Sequence, residues 1–289
     1  MYTLNFTKRV WIVKQRLKGI SPSRLALAQG ISESMVRRLV RIYKQDGWDG
    51  LKDHKTGRPE TSLSKAAEIV ILDLRYRFGY GPGRIEALLK SKGFGISHRQ
   101  IEKLLLRNGL VELNLKKQKP RKWVRYELPE PNDLWHTDWT YDPYTQRQLS
   151  VYIDDKTRLI TSFGIFPNAT AERSIALLKA GIASYGKPKS IMTDHGPQYY
   201  ANRPECQQEN TQWRTALDAL GIKHYVARVN RPQTNGKVER FFLSYKTEYA
   251  TGTFKNIYDY ITHYNENRPH MSLGYKTPRQ TWNLLTKRN

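Results

Sequence analysis

The first 50 residues carry hydrophobic positions at helical spacing, interrupted twice by turn and capping residues. This pattern predicts three helices. The second helix begins at Ser21-Pro22 and ends at Gly30, and Ser32 caps the third helix. The hydrophobic positions of the three helices are Val10, Val13, Leu17, Leu25, Leu27, Ala28, Val36, Leu39, Val40 and Tyr43. Two helices joined by a glycine turn, the second of them basic, are typical of a helix-turn-helix, with a small helical bundle as the alternative.

Residues 62–112 repeat the pattern. A helix begins after Ser62 or Ser64, Gly93 ends a second helix, and Ser97 caps a third. The hydrophobic positions of this region are Ala67, Ile69, Leu72, Leu74, Ile85, Leu88, Leu89, Ile101, Leu104 and Leu105. The sequence therefore predicts a second helix-turn-helix domain, with or without a wing. Two such domains in tandem can contact a longer DNA site than one.

From residue 132 the pattern changes to short β-rich runs that alternate with amphipathic helices. Strands are predicted at 134–139, 149–154, 159–166, 190–193 and 222–226, and helices at 170–184, 211–220 and 235–250. Only residues 155–158 separate the second strand from the third, which predicts an antiparallel hairpin. Strands that alternate with helices indicate an α/β layer structure. We predict an α/β domain over 132–250 and a C-terminal helical tail over 251–289.

Two segments lack these patterns and are interpreted as linkers. Within residues 51–61, Gly57-Arg58-Pro59 resembles the core of an AT-hook, a motif that lays an arginine in the minor groove. Residues 113–131 include the basic run KKQKPRKWVR. A tether of this composition is expected to order on DNA. The predicted first domain therefore covers residues 1–50.

Charge points to a polyanionic partner. The chain of 289 residues has 49 Lys and Arg against 26 Asp and Glu, a formal charge of +23, and 28 of the basic residues lie within positions 1–130. Double-stranded DNA is the partner expected for such a basic chain. Ribosomal proteins and proteins that bind anionic membranes share this charge. The hydrophobic content of 38% and the long patterned segments oppose a simple basic tail.

Cysteine and hydropathy narrow the class of protein further. Cys206 is the only cysteine, so neither an internal disulfide nor a zinc site built on several cysteines can form. No apolar run approaches the ~18 residues that a membrane span requires. We expect a cytoplasmic, nucleoid-associated protein without membrane contact.

Basic side chains on the third helix of each helical domain, in the linkers and near the start of the last long helix are the predicted DNA contacts. Lys and Arg neutralise phosphates and fix the position of a protein on the duplex. The predicted contacts are Arg37, Arg38, Arg41, Arg58, His98, Arg99, Lys103, Lys116, Lys117, Arg121, Lys122, Lys237 and Lys246.

Three carboxylates lie in separate elements of the α/β domain. Asp138 lies within a strand, Asp194 follows a strand end, and Glu239 lies on the last long helix. Cleavage of a phosphodiester by two divalent ions needs carboxylates that converge from separate elements. Mg²⁺ prefers such hard oxygen ligands. Lys246 is two turns from Glu239 on nearly the same face of the helix.

Other polar residues near these acids have structural interpretations. Asp142, Asp154 and Asp155 occupy turns, where aspartate bonds its own backbone. His136 and His195 flank the acids, and the sequence leaves open whether they position water or phosphate, or serve packing. Core packing is favoured for Trp139. The side of the last long helix formed by Val238, Phe242, Tyr245 and Tyr249 is expected to pack on the sheet.

Four motifs, taken together, resemble the integrase-core DDE transposases of bacterial and archaeal insertion sequences, which share a catalytic domain with retroviral integrases. The motifs are Trp135-His-Thr-Asp138, Thr193-Asp-His-Gly-Pro-Gln198, Pro232-Gln-Thr-Asn-Gly-Lys-Val-Glu239-Arg240-Phe, and Tyr264-Asn-Glu-Asn-Arg-Pro-His270-Met-Ser-Leu273 with Thr277-Pro278. The resemblance implies an RNase H-like catalytic domain, with a five-stranded mixed sheet and flanking helices, behind two helix-turn-helix domains. It also implies Asp138, Asp194 and Glu239 as catalytic residues and metal ligands for two Mg²⁺ ions, with Mn²⁺ as a substitute.

The resemblance further implies a reaction in two steps. Hydrolysis of a phosphodiester at the end of the mobile element frees a 3′-hydroxyl, which then attacks target DNA by transesterification. No covalent protein–DNA intermediate is expected. In this family the basic residue at the position of Lys246 contacts the end of the element. Because each active site handles one DNA end at a time, a homodimer or homotetramer is expected on DNA.

The chain departs from the family pattern at two places. The 44 residues between Asp194 and Glu239 exceed the usual spacing, and the polar stretch 201–213 is interpreted as a loop insertion. Arg231 stands where many relatives have histidine. Two alternatives stay open at this point. One is a catalytically silent DNA-binding protein, such as a domesticated transposase or a repressor, and the other is an RNase H-like nuclease of another kind.

Overall fold

The computed structural model describes residues 4–53, 62–111, 127–203, 206–209, 211–227 and 235–287. The chain divides into two compact units, Met1–Ser62 and Leu63–Asn289. Throughout the described ranges, no helix combines the length and the apolar character that crossing a membrane would require.

The first unit is a bundle of three short helices, as the sequence predicts. Its helices are α1 (Phe6–Leu17), α2 (Pro22–Gln29) and α3 (Glu33–Asp46), followed by a 3₁₀ turn at Asp49–Leu51. The Ser21 and Ser32 side chains accept hydrogen bonds from backbone N–H groups in the first turns of α2 and α3. Gly30 ends α2 with φ +62°, a left-handed conformation that favours glycine. Leu27 is 88% exposed and does not join the core.

The second unit begins with a similar helical module. It contains α4 (Lys65–Phe78), α5 (Pro82–Ser91) and α6 (His98–Arg107). Ser64 caps α4, and Ser97 forms a capping box with Gln100 at the start of α6. The module has its own core of buried side chains, which are Ile71, Tyr80, Ile85, Leu89, Ile101, Leu104 and Leu105. Residues 62–111 contain these three helices and no strand, so no wing lies within this range.

An α/β layer structure follows in the same unit. Its strands are β1 (Trp135–Asp142), β2 (Arg147–Asp154), β3 (Ile160–Phe166), β4 (Ser190–Thr193), β5 (Tyr200–Arg203), β6 (Cys206–Glu209) and β7 (Lys223–Val226). Its helices are α7 (Ala171–Tyr185), α8 (Thr211–Leu220), α9 (Gly236–Tyr249), α10 (Ile257–Glu266) and α11 (Pro278–Thr286). Five strands form one mixed sheet in the order β3-β2-β1-β4-β7. This sheet confirms the predicted RNase H-like architecture.

The sheet has hydrophobic side chains on both faces. On β2, Val151 packs against α9 and α10, whereas its neighbour Tyr152 packs on the opposite side with residues of α7 and α8. Successive side chains of a strand point to opposite faces, so β2 contributes to both cores. The predicted packing face of α9 is confirmed, since Val238, Phe242 and Tyr245 are buried in the first of these cores.

The polar stretch 201–213 is not an irregular loop, and that interpretation was wrong. β5 and β6 pair antiparallel, with Tyr200 opposite Glu209 and Arg203 opposite Cys206, and α8 begins at Thr211. Backbone hydrogen bonds between two strands do not require hydrophobic side chains. A polar composition therefore gave no periodic signal for this hairpin.

The helical module of the second unit is bonded to α9 and α10. A guanidinium nitrogen of Arg84 lies 3.3 Å from Oε1 of Glu248, which also accepts a hydrogen bond of 2.6 Å from Arg268. The Tyr80 hydroxyl lies 2.6 Å from Nε2 of His263. Removing one partner of a buried ion pair leaves an uncompensated charge, so these contacts resist separation of the module from the sheet domain.

Acid is expected to weaken the contact between Tyr80 and His263. Burial lowers the pKa of His263 to about 4, whereas the unfolded chain binds a proton near pH 6.5. Stability from the neutral imidazole is therefore complete above about pH 6.5 and declines as the pH falls toward 4. In thermal unfolding between pH 8 and 4, the melting temperature should fall less in His263→Gln than in the parent. An equal fall in both proteins would contradict the role of His263.

Candidate active site

The strand register brings Asp138 and Asp194 together. In the parallel pair β1–β4, Trp135 pairs with Ile191 and His136 with Met192. Continuing this register by two residues puts Asp138 opposite Asp194. Asp138 within β1 and Asp194 just after β4 are therefore neighbours on two inner strands of the sheet, although 55 residues separate them in the sequence.

Glu239 approaches the two aspartates from α9. Asp138 pairs across β1 and β2 with Val151, whose side chain packs beneath α9. Directly opposed residues of neighbouring strands share a face, so Asp138 lies on the face that α9 covers. Glu239 belongs to the first turn of α9, and its side chain is open to solvent. The three predicted catalytic acids thus come from β1, the end of β4 and the start of α9.

The acids influence one another electrostatically. Burial, then repulsion from Asp194, raises the pKa of Asp138 to about 7, and the Glu239 charge adds to the rise. The backbone N–H of Trp139 donates a 2.7 Å hydrogen bond to Asp138 and opposes this effect. Partial loss of hydration also raises the pKa of Glu239. The site therefore favours any cation that reduces the repulsion.

The Asp194 side chain is oriented by the turn that follows β4. Its Oδ1 accepts a 2.9 Å hydrogen bond from the backbone N–H of Gly196. Such a bond from aspartate to the backbone two residues on is an Asx-turn. The preceding hydroxyl, of Thr193, lies 2.8 Å from Nε2 of His224 on β7. Asp194 is thus fixed by its own turn and its neighbour by the adjacent strand.

The donor atoms suit a divalent cation that prefers oxygen. Carboxylates of Asp138, Asp194 and Glu239 are the hard ligands that Mg²⁺ takes. In the described ranges, no three side chains of His, Cys, Asp or Glu already surround a common point closely enough to hold a metal ion. The residues fit the metal by chemistry, and by the repulsion that a cation would reduce.

Family comparisons agree with this geometry. Two models described as Integrase core domain match residues 129–232 and 220–278. Together they span both aspartates, Glu239 and α10. The chain belongs to the integrase-core family. A further model, described as Winged helix-turn helix, matches residues 9–69.

Several proteins similar to this integrase-core chain come from insertion elements. The Escherichia coli protein named Transposase InsD for insertion element IS2-9 is 25% identical over 91% of this chain and 93% of its own length. The insertion element IS407 31.7 kDa protein of Burkholderia multivorans is 24% identical, covering 86% and 89%. The insertion element IS476 39.2 kDa protein of Xanthomonas euvesicatoria is also 24% identical, covering 86% and 72%.

Two solved structures with a similar chain contain retroviral integrases or intasomes. The simian T-cell lymphotropic virus intasome in complex with PP2A regulatory subunit B56 gamma matches at a TM-score of 0.45, with 22% identity, over 73% of this chain and 74% of that one. The HTLV-2 integrase catalytic core domain in complex with magnesium, in its trimeric form, matches at 0.41 with 22% identity, over 53% and 97%.

Two lysines of the integrase core point toward β1 and the neighbouring turn. The Lys246 ammonium donates a 2.9 Å hydrogen bond to Thr140, two residues beyond Asp138. The Lys237 ammonium instead contacts the buried carboxylate of Asp155. Lys246 therefore lies close to Asp138, while Lys237 is directed inward. Their contacts with DNA stay predictions.

The adjacent acids Asp154 and Asp155 behave differently. Asp154 accepts hydrogen bonds from the backbone and hydroxyl of Thr157, both 2.7 Å, as a turn residue would. Asp155 does not bond its own turn, contrary to our interpretation. Burial alone would raise the pKa of Asp155, but hydrogen bonds from His136 and Lys237 outweigh it and hold the pKa below the usual value. The only sequence signal for this role was that Asp155 directly follows the hydrophobic strand β2.

The remaining site predictions are placed as follows. Asp142 accepts hydrogen bonds from the turn residues Tyr144 and Thr145, and Trp139 packs against Phe166, as predicted. His136 is fully buried, and His195 lies edge-on to Tyr200 at a ring distance of 5.2 Å. The predicted DNA contacts Arg37, Arg38, Arg41, His98, Arg99 and Lys103 are exposed on α3 and α6. Arg58, Lys116, Lys117, Arg121 and Lys122 lie outside the described residues.

Removing the Asp138 charge should stabilise the metal-free protein at alkaline pH. The raised pKa means that the folded state holds this carboxylate ionised at a cost above about pH 7, and that the cost disappears as the pH falls toward 4. In the presence of a chelator, Asp138→Asn should melt at a higher temperature than the parent at pH 8. The difference should shrink at pH 5. A lower melting temperature at pH 8 would refute the repulsion.

The exposed arginines of α3 should contribute to DNA binding. Arg41→Ala is expected to weaken binding to the terminal repeats about 10-fold and to lower the slope of log affinity against log salt by about one. Lys18→Ala, just after the end of α1, removes one positive charge from an exposed position outside α3 and serves as the control. Equal effects of the two variants in a salt-dependent binding titration would argue against a specific role for α3.

Proposed function

We propose that this protein is a DNA transposase that binds the terminal inverted repeats of a mobile element, cleaves the 3′ ends and joins them to target DNA. The observation that carries the proposal is the parallel register of β1 and β4, which aligns Asp138 with Asp194 beside the start of α9. The integrase-core family of the chain and its insertion-element relatives support the same chemistry.

The three acids would act as metal ligands in this reaction. Asp138 and Asp194 lie opposite each other on neighbouring strands, and Glu239 can approach them from the first turn of α9. When bound, two Mg²⁺ or Mn²⁺ ions would activate the attacking oxygen and stabilise the leaving oxygen of an in-line displacement. The buried sheet beneath the acids supplies rigidity, which keeps the ligands oriented during both steps.

The remaining basic residues would hold the DNA. Exposed side chains of α3 and α6, including Arg41 and Arg99, are proposed to contact the terminal repeats. Lys246 is hydrogen-bonded to Thr140, two residues beyond Asp138. Its charge suits it to contact the DNA end. The freed 3′-hydroxyl would then attack a phosphodiester of target DNA without a covalent protein intermediate. We propose that a homodimer or homotetramer performs both steps, because each site handles one end at a time.

The glutamate substitution Glu239→Gln tests the proposal. The substrate is DNA with the terminal repeats of the element, and the assay follows end cleavage and strand transfer with Mg²⁺ and with Mn²⁺. Loss of one metal ligand should reduce both steps at least about 100-fold, because a bound metal supplies several kcal/mol of transition-state stabilisation. DNA binding should stay unchanged. The mass of the protein–DNA complex gives the number of protomers.

Glu172→Gln is the matched control, because Glu172 is an exposed glutamate in the first turn of α7. It should retain the parent activity. If the parent binds the repeats tightly but neither metal supports cleavage, the silent DNA-binding protein becomes the better description. Cleavage of any duplex or of RNA–DNA hybrids without strand transfer would instead favour an RNase H-like nuclease.

A further inference from the structure

A buried polar network lies behind the three acids. Asp155 and His136 are completely buried, and Asn235 is 3% exposed. The Asp155 carboxylate lies 2.7 Å from Nε2 of His136 and accepts hydrogen bonds from the Lys237 ammonium and the backbone N–H of Leu128. The other ring nitrogen of His136 lies 3.2 Å from Oδ1 of Asn235. The network joins β1, the end of β2 and the first turn of α9.

Its members lie close in the chain to two of the catalytic acids. His136 precedes Asp138 by two residues on β1, so the two side chains are on the same face of the sheet. Lys237 precedes Glu239 by two residues on α9. The backbone carbonyl of Asn235 accepts a 3.3 Å hydrogen bond from the N–H of Glu239. Close polar contacts thus lead from Asp155 through His136 to Asn235, whose carbonyl accepts from the backbone of Glu239.

The residue just before α9 shows what this network replaces. Asn235 occupies the N-cap position, where an asparagine side chain usually accepts a hydrogen bond from its own helix. No such bond forms here. The Asn235 side chain instead reaches His136, and its amide nitrogen lies 3.4 Å from the carbonyl of Thr137. The start of α9 is therefore attached to β1 and not capped by its own side chain.

We propose that Asp155 is a positioning residue for the active site, which fixes the first turn of α9 against β1 and so sets the distance from Glu239 to Asp138. It acts through His136 and Lys237 and does not touch DNA or metal. This inference rests on the proposed function for its kinetic consequence. Its structural consequence, a fixed start of α9, is independent of that function.

Adjacent Asp154 offers a matched control. It is also completely buried, at the same turn, but its hydrogen bonds go to Thr157 and to the backbone of Asn132. None of these partners belongs to α9. Asp155→Asn and Asp154→Asn therefore remove the same charge from neighbouring buried positions, and only the first change reaches the helix that carries Glu239.

The experiment compares these two variants in the full-length protein. Asp155→Asn should lower kcat for end cleavage about 10- to 100-fold, the usual cost of losing a group that orients metal ligands, while KM and the affinity for repeat DNA stay unchanged. The Mn²⁺ concentration for half-maximal thermal stabilisation, measured without DNA, should rise. Hydrogen exchange should accelerate in peptides covering residues 236–241. Asp154→Asn should lose thermal stability but keep kcat, metal affinity and exchange in α9.

Lys237→Met provides a second variant in case Asp155→Asn does not fold. If Lys237 serves the network, its loss should lower kcat with unchanged DNA affinity; if it contacts DNA, its loss should weaken binding and reduce the salt dependence. Unchanged exchange at 236–241 in both network variants, or activity losses that follow thermal stability alone, would overturn the proposal. If the parent shows no cleavage at all, the proposed function fails, and exchange and Mn²⁺ affinity still decide the role of Asp155.

Discussion

The sheet domain has to hold like-charged carboxylates close together against their mutual repulsion, and the rest of the domain depends on this constraint. Asp138 is largely removed from water, and its pKa of about 7 reflects both that loss and the charge of Asp194. Like charges would separate in a flexible chain. The parallel pairing of β1 with β4 prevents this for the two aspartates, because their spacing is set by backbone hydrogen bonds and by the hydrophobic cores on both faces of the sheet.

Helix α9 holds the third carboxylate, Glu239, near the two aspartates. Its first turn contains Glu239, its middle is anchored in the core by Phe241 and Tyr245, and its last turn contains Glu248. Glu248 is bonded to Arg268 after α10 and to Arg84 of the preceding helical module. One helix therefore connects a proposed catalytic acid with the module proposed to bind DNA. A change in the position of either end has to be accommodated by a tightly packed aromatic core.

Local patterns were sufficient to predict most of the elements but few of the long-range contacts. Alternating and helical hydrophobic spacing located β1 to β3, the helices α3 and α6, and the buried face of α9. The assignment of Asp138, Asp194 and Glu239 as catalytic acids rests on their motifs and stays a prediction. Asp155 was misinterpreted because an aspartate in a turn is equally well explained by its own backbone, and its partners His136 and Lys237 are distant in the sequence. The β5–β6 hairpin escaped notice because its polar side chains have no periodicity.

The last turn of α10 contains a feature that concerns the solubility of the protein. Asn265 accepts a 2.9 Å hydrogen bond from the N–H of Ile160 and donates a 3.0 Å hydrogen bond to its carbonyl, so one amide side chain occupies both outward peptide groups at the start of β3. β3 is an outer strand of the five-stranded sheet. Free peptide groups on such a strand can recruit a strand from another molecule. The amide of Asn265 thus blocks edge-to-edge strand pairing at this point of the sheet and so opposes aggregation.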